Sequence, residues 1–243
     1  MPRANEGTAR PGDVEERARA LLRHLQEIAD PSRLEGMARY GIETTRALGV
    51  TVTELRGTAR PHRRDHELAQ RLWTSGIHEA RLLATMIDDP AEVTEAQMES
   101  WVRDLDSWDL CDQLCSNLLD RTSLALDKAV EWGAREEEFV RRAGFALMAT
   151  SAVHRKDVPD ERFERFLPSI LRGAIDERNY VKKGVSWALR QIGKRSPGLN
   201  RKAIRTAERM QALDSRSARW IARDALRELE SDAVRERLRG TRR

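Results

Sequence analysis

Residues 178–195 read RNYVKKGVSWALRQIGKR, and this spacing is typical of an amphipathic helix. The predicted buried stripe consists of Val181, Gly184, Val185, Ala188 and Ile192. At about 100° per residue, Trp187 points away from that stripe. Three cations share its side of the helix: Lys183, Arg190 and Lys194. An aromatic ring among cations indicates a surface that binds phosphate and sugar. The alternative is a Trp187 that packs on a neighbouring helix and makes cation–π contacts with its own.

The same periodicity recurs along most of the chain. The first helix begins at Asp13 as N-cap and ends at Asp30-Pro31-Ser32. The further predicted helices are 32–38, 51–60, 64–75, 77–87, 94–104, 107–119, 122–133, 135–152, 160–173, 178–195, 197–211 and 214–231. Residues 42–52 lack strand alternation and are predicted to be loop and turn. Short helices with short turns predict an all-α fold, an α-solenoid of HEAT-like antiparallel helix pairs whose concave face suits a long partner.

Length and composition predict one globular domain with two tails. The chain has 243 residues, of which 40% are hydrophobic and 35% charged. We expect a disordered tail over 1–12, a single repeat domain over 13–232 and a basic C-terminal tail over 233–243. The sequence has no apolar run of the roughly 20 residues that a membrane span needs, and its N-terminus does not read as a signal peptide. We therefore expect a cytoplasmic monomer, nucleoid-associated when bound to DNA, without a membrane partner.

Charge is distributed unevenly along the sequence. The basic third, residues 172–243, has 20 Lys and Arg against 9 Asp and Glu, although the whole chain has a net charge of only +4. The acidic stretch, residues 85–138, has 15 acidic and 4 basic residues. A basic segment of this kind is typical of nucleic-acid binders. The alternative is an ordinary solvated surface in an arginine-rich protein.

Residues 107–119 place unusual side chains beside a predicted core face. Cys111 and Cys115 lie one helical turn apart, which gives poor disulfide geometry and too few ligands for a metal, so both are predicted to be core thiols. Trp108 and Asp112 flank that face, also one turn apart. A ring and a carboxylate together can stabilise a positive charge. The alternative is a core Trp108 beside an Asp112 that pairs with an arginine.

Arg141 and Arg142 lie on the predicted helix 135–152, and either could contact phosphate or pair with an acid. Motifs for phosphate-binding loops, serine hydrolases and zinc proteases are absent from the sequence, and its five histidines are scattered. We therefore expect no metal and no cofactor.

The chain resembles the AlkD-like alkylpurine DNA glycosylases, which are built from HEAT-like repeats. The resemblance covers about residues 32–232. Its landmarks are Met37-Ala38-Arg39-Tyr40, Gly49 with Glu54 and Arg56, Leu72-Trp73, Ser107-Trp108-Asp109-Leu110-Cys111-Asp112, Val140-Arg141-Arg142-Ala143, and Val181 to Arg190. The most specific part is the ordered series of Trp-x-x-x-Asp, Arg and Lys-x-x-x-Trp.

The resemblance implies a site and a reaction. Trp108, Asp112 and Trp187 would line the catalytic cleft. The residues expected to bind DNA are Arg142, Arg141, Lys182, Lys183, Arg190 and Lys194. The implied enzyme is a monofunctional glycosylase that removes cationic N3- or N7-alkylated purines from double-stranded DNA without base flipping, with Asp112 stabilising the oxocarbenium charge. Two alternatives remain open: a non-catalytic HEAT-repeat binder of damaged or branched DNA, and a protein-binding HEAT scaffold.

Overall fold

The computed structural model describes residues 11–240, and the regular secondary structure within that range is all helical, with no β-strand. This confirms the predicted all-α class. The helices are α1 (Pro11–Glu27), α2 (Leu34–Arg39), α3 (Val52–Ala59), α4 (His66–Thr74), α5 (His78–Ile87), α6 (Glu95–Arg103), α7 (Trp108–Asn117), α8 (Ala125–Gly133), α9 (Glu138–His154), α10 (Asp160–Glu164), α11 (Leu167–Gly173), α12 (Asn179–Gly193), α13 (Pro197–Gln211), α14 (Arg216–Leu229) and α15 (Asp232–Gly240). Short 3₁₀ turns cover Pro31–Arg33, Arg60–His62 and Leu119–Arg121. No helix in the described range is both long and apolar enough to cross a bilayer.

Two segments differ from the predicted boundaries. The helix predicted over 160–173 is two helices, α10 and α11, because Pro168 lies in the first turn of α11 and cannot donate the backbone hydrogen bond that would continue α10. The predicted basic C-terminal tail begins as α15, which buries Val234 and Leu238. Residues 1–10 of the predicted N-terminal tail lie outside the described residues, and α1 begins at Pro11.

The chain divides between Val93 and Thr94 into two compact units. This boundary lies inside the single repeat domain that was expected over 13–232. In unit 1, α4 packs on α1 and α5, and α3 packs on α5. The buried Glu79 carboxylate organises the preceding loop, since it accepts the backbone N–H groups of Leu48 and Gly49 at 2.8 and 2.7 Å. Gly49 has φ +79°, and a Cβ there would lie 2.1 Å from the Asp30 carbonyl oxygen, so this loop requires glycine.

In unit 2, helices that are close in sequence stack on one another. The central helix is α9, which is almost wholly buried and packs against α7, α8 and α12. Helix α12 in turn packs on α13 and α14. A Cβ on Gly144 of α9 would lie 2.2 Å from the Gly133 backbone nitrogen of α8, so these helices approach through glycine. Such nearest-neighbour stacking is typical of helical repeats.

Candidate active site

Helix α7 presents a buried face to α9 and a half-buried flank beside it. Leu110, Leu114 and the two cysteines are buried, and Trp108 and Asp112 form the flank. The Cys111 and Cys115 thiols donate to the backbone carbonyls of α9 at 3.7 and 3.6 Å. Both cysteines are free and buried, as predicted. Burial raises the pKa of the Cys115 thiol well above its usual value, so it is an unreactive core group.

The Asp112 carboxylate forms a bidentate pair with Arg142. Arg142 Nε donates to Asp112 Oδ1 at 3.0 Å, and Nη2 donates to Oδ2 at 2.7 Å. The Arg142 side chain is 6% exposed and that of Asp112 is 20% exposed. Two parallel hydrogen bonds to a planar guanidinium fix the plane of the carboxylate. The exposed edge of Asp112 keeps lone pairs that can accept a water molecule or face a cation.

Arg142 also connects the carboxylate to two neighbouring elements. Its Nη1 donates to the Tyr180 backbone carbonyl at 2.7 Å, in the first turn of α12. Its guanidinium carbon lies 5.9 Å from the centre of the Trp108 ring. A Cβ on Gly184 would lie 3.6 Å from Arg142 Cγ, so α12 packs closely on this side chain. Arg142 therefore ties α7, α9 and α12 together behind Asp112.

Burial raises the pKa of Asp112 above its ordinary value, and the charge and hydrogen bonds of Arg142 oppose that shift. The bidentate pair with Arg142 favours the ionised form of the carboxylate. The site thus holds a negative charge in a partly dry environment, where it acts more strongly on a nearby cation than it would in water.

Trp187 lies half-buried on α12. It follows Gly184 by one turn, and Gly184 packs on Arg142. Of the four residues predicted from sequence, Asp112, Arg142 and Trp108 form a direct cluster. Trp187 lies one turn along α12 from the glycine that packs on Arg142, and its place in the site stays a prediction.

The family model for DNA alkylation repair enzymes matches residues 21–229. The chain belongs to this family. One solved structure, described as "a new family of proteins related to the HEAT-like repeat DNA glycosylases with affinity for branched DNA structures", aligns with a TM-score of 0.73 and 18% identity, over 87% of this chain and 95% of its own. That similarity confirms the predicted HEAT-like fold. No curated protein matches the sequence.

In this member of the DNA alkylation repair family, most of the cations expected to bind DNA have partners within the protein. Arg141 Nε lies 3.4 Å from Asp176, and Arg190 Nη1 donates to Glu228 at 2.6 Å. Lys194 pairs with the same glutamate. The two remaining cations on α12 differ: Lys182 lies against a tryptophan ring and Lys183 is exposed. A role in phosphate binding stays a prediction for all six cations.

Several acids of the acidic stretch have hydrogen-bond or ion-pair partners inside unit 2. Glu99 accepts hydrogen bonds from Lys128 Nζ at 2.9 Å and from the Trp132 indole at 2.7 Å. The buried Asp120 lies 2.5 Å from His154 Nδ1. Asp112 itself is paired with an arginine. The excess of acids in the sequence therefore overstates the negative charge that this unit presents to a polyanion.

Sequence reasoning missed two features of the site region. It did not decide between Arg141 and Arg142 as the partner of Asp112, because the two arginines are adjacent and the ion pair spans 30 residues. It also overlooked Trp220, which lies close to Lys182. The spacing Arg216-x-x-x-Trp220-x-x-Arg223 on a single helix face was the available signal.

Proposed function

We propose that this chain is a monofunctional DNA glycosylase that hydrolyses the N-glycosidic bond of cationic N3- or N7-alkylated purines in double-stranded DNA. The observation that carries the proposal is the Asp112 carboxylate, fixed by two hydrogen bonds from Arg142 beside the Trp108 ring, with an exposed edge. Membership of the DNA alkylation repair family supports the substrate class.

The chemistry needs little more than a positioned negative charge and water. Alkylation at N3 or N7 makes the purine cationic, so its departure needs no acid. When the bond between C1′ and the purine nitrogen breaks, the electron pair goes to the purine, which leaves neutral, and positive charge develops on the sugar. Asp112 stabilises that charge electrostatically. A water oxygen then bonds to C1′, and its proton passes by way of Asp112 to solvent.

In this proposal Trp108 and Trp187 supply apolar surface for the substrate. A ring beside the carboxylate packs on the deoxyribose and favours the developing cation. Both tryptophans are half-buried, so each has surface available for a ligand. In this proposal the protein grips the sugar and backbone and does not flip the base into a pocket.

Arg142 is a positioning residue in this proposal. Three of its N–H donors are engaged within the protein, two by Asp112 and one by the Tyr180 carbonyl. Its main effect is therefore to orient the carboxylate and hold it ionised. The exposed Lys183 is better placed to meet phosphate directly.

A second candidate function is binding of branched DNA without catalysis. The structure of similar fold is described as that of a family with affinity for branched DNA structures. This alternative uses the same helices and differs only in whether Asp112 acts chemically.

Incubation of the purified chain with methylated duplex DNA separates the candidates. The glycosylase proposal expects release of 3-methyladenine or 7-methylguanine as free base. Salt-dependent DNA binding without release would favour the branched-DNA binder, and a binding comparison between a four-way junction and a linear duplex would then support it. Absence of salt-dependent DNA binding would favour a protein-binding scaffold.

A further inference from the structure

Helix α14 carries a row of cations and one tryptophan on its outward face. Arg216, Trp220, Arg223 and Arg227 recur at intervals of four, three and four residues, which places them in one line along the helix. The opposite face is buried and includes Ile221. Trp220 is 36% exposed, among the large apolar side chains that the described residues leave most open to solvent.

A cavity of about 690 Å³ opens beside this row, between the start of α12, the end of α13 and the first two turns of α14. Its volume lies within the range of about 300–1,000 Å³ that is usual for ligand pockets. Four cationic side chains and one acidic side chain line it. A cavity with this charge balance and an aromatic wall favours an anionic ligand that has a flat ring.

The Trp220 ring already accepts a cation. Lys182 Nζ lies 5.1 Å from the ring centre, within cation–π distance. This contact places a positive charge against the aromatic wall and orients the ring. A base that stacks on the ring would then lie close to a cation that can meet its phosphate.

The acidic residue of the cavity has a structural role. Glu177 accepts the backbone N–H of Ser217 at 3.1 Å and the hydroxyl of Ser215 at 3.0 Å, and these hydrogen bonds lower its pKa. Its charge is therefore used to hold the start of α14. The buried Ser217 hydroxyl has no hydrogen-bond partner among the described residues.

The spacing of the cations favours a strand over a mononucleotide. Arg216 and Arg223 are seven residues apart, which corresponds to about 10 Å along a helix at 1.5 Å per residue. A stacked nucleic-acid strand carries one phosphate per about 3.4 Å. The row is therefore long enough to span about three steps from one phosphate to the next.

We propose that this cavity binds an unpaired segment of DNA, with one base stacked on Trp220 and the adjoining phosphates on Arg216 and Arg223. This proposal rests on the proposed function only because it assumes that the bound polymer is DNA. The site is distinct from the Asp112 cluster, and it would let the protein hold a displaced strand next to duplex.

The test measures binding of a fluorescent oligothymidylate and of an abasic oligomer of equal length. Trp220→Ala is expected to weaken oligothymidylate binding about tenfold, as loss of a stacked base does, and to leave the abasic oligomer unaffected. Trp220→Tyr is expected to restore most of the affinity. The double substitution Arg216→Gln and Arg223→Gln is expected to lower the slope of log K against log salt by about 1.4, because two phosphate contacts are lost.

A double substitution of Arg121 and Arg165 to glutamine is the charge-matched control, since both residues are exposed in the same unit. Equal binding of oligothymidylate by Trp220→Ala and the unmodified chain would overturn the proposal. So would an equal loss of affinity for the abasic oligomer, or Trp220-dependent binding of polyglutamate in place of DNA. Because strand binding is measured directly, the proposal can stand in a chain that excises no base, and it can fail in a chain that excises well.

Discussion

The Asp112 carboxylate and the Arg142 guanidinium form the pair on which the proposed chemistry depends. Sequence spacing placed Trp108 and Asp112 together on one flank of α7, because residues four apart share a helix face. It could not supply the partner, since the pair joins α7 to α9 and depends on how those helices pack. The structure shows the arginine pair that was one of the alternatives for Asp112, with an edge of the carboxylate still exposed, and the chemical role of the residue stays a prediction.

Replacement of Arg142 by Gln should move the acid limb of the excision rate to higher pH. Asp112 must be ionised to act, so activity is present above its pKa and is lost as the pH falls through it. Burial raises that pKa and Arg142 lowers it, so the pKa of Asp112 should rise further when the guanidinium is removed. The pH–rate profile under single-turnover conditions measures this. An unchanged acid limb with a uniformly lower rate would instead indicate a purely structural role for Arg142.

At the scale of elements, most of the helices could be predicted because their signals are local. The N-cap Thr51 and Glu54 form a reciprocal capping box, and Thr94 accepts the Gln97 N–H at 3.2 Å. The division between α10 and α11 was missed even though Pro168 marks it, because the apolar periodicity continues across the break. The close approach of α8 and α9 could not be predicted, since it depends on two glycines that meet only in the folded chain.

A Gly144→Ala substitution should destabilise the protein by about 3 kcal/mol. The new Cβ would lie 2.2 Å from the Gly133 backbone nitrogen, and the backbone of α8 cannot move aside without separating α8 from α9. Gly57→Ala is the matched control, because a Cβ there meets nothing within 4 Å and the change should stabilise α3 by about 0.5–1 kcal/mol. Urea denaturation measures both. A neutral Gly144→Ala would contradict the close packing of α8 on α9.

For the whole molecule, the charge asymmetry of the sequence only partly determines the charge that is exposed to a binding partner. Acids of the acidic stretch are paired within unit 2, as Glu99 is with Lys128, and cations of the basic third are likewise paired, as Arg190 is with Glu228. A count of charges therefore indicated the class of partner and did not identify the exposed cations. The HEAT-like fold was predictable from helix lengths and short turns, whereas the charge left at the surface required the structure.

Lys183→Gln should lower the salt dependence of duplex binding. Lys183 is exposed on α12 near Trp187, and loss of one phosphate contact reduces the slope of log K against log salt by about 0.9. Lys156→Gln, at another exposed lysine of unit 2, is the control for net charge alone. Fluorescence anisotropy over a salt series measures the slopes. Equal slopes for the two variants would remove Lys183 from the proposed DNA contacts.

Base release by Asp112→Asn shows whether the Asp112 carboxylate acts in the reaction. Asn keeps the size of the side chain and removes its charge, so we expect loss of 3-methyladenine or 7-methylguanine release from methylated DNA, with affinity for that DNA largely retained. Asp109→Asn makes the same change on the same helix, at a carboxylate that accepts the Ser107 hydroxyl at 2.8 Å, and should leave release intact. Release by Asp112→Asn at the rate of the unmodified chain would show that the Asp112 charge has no part in catalysis.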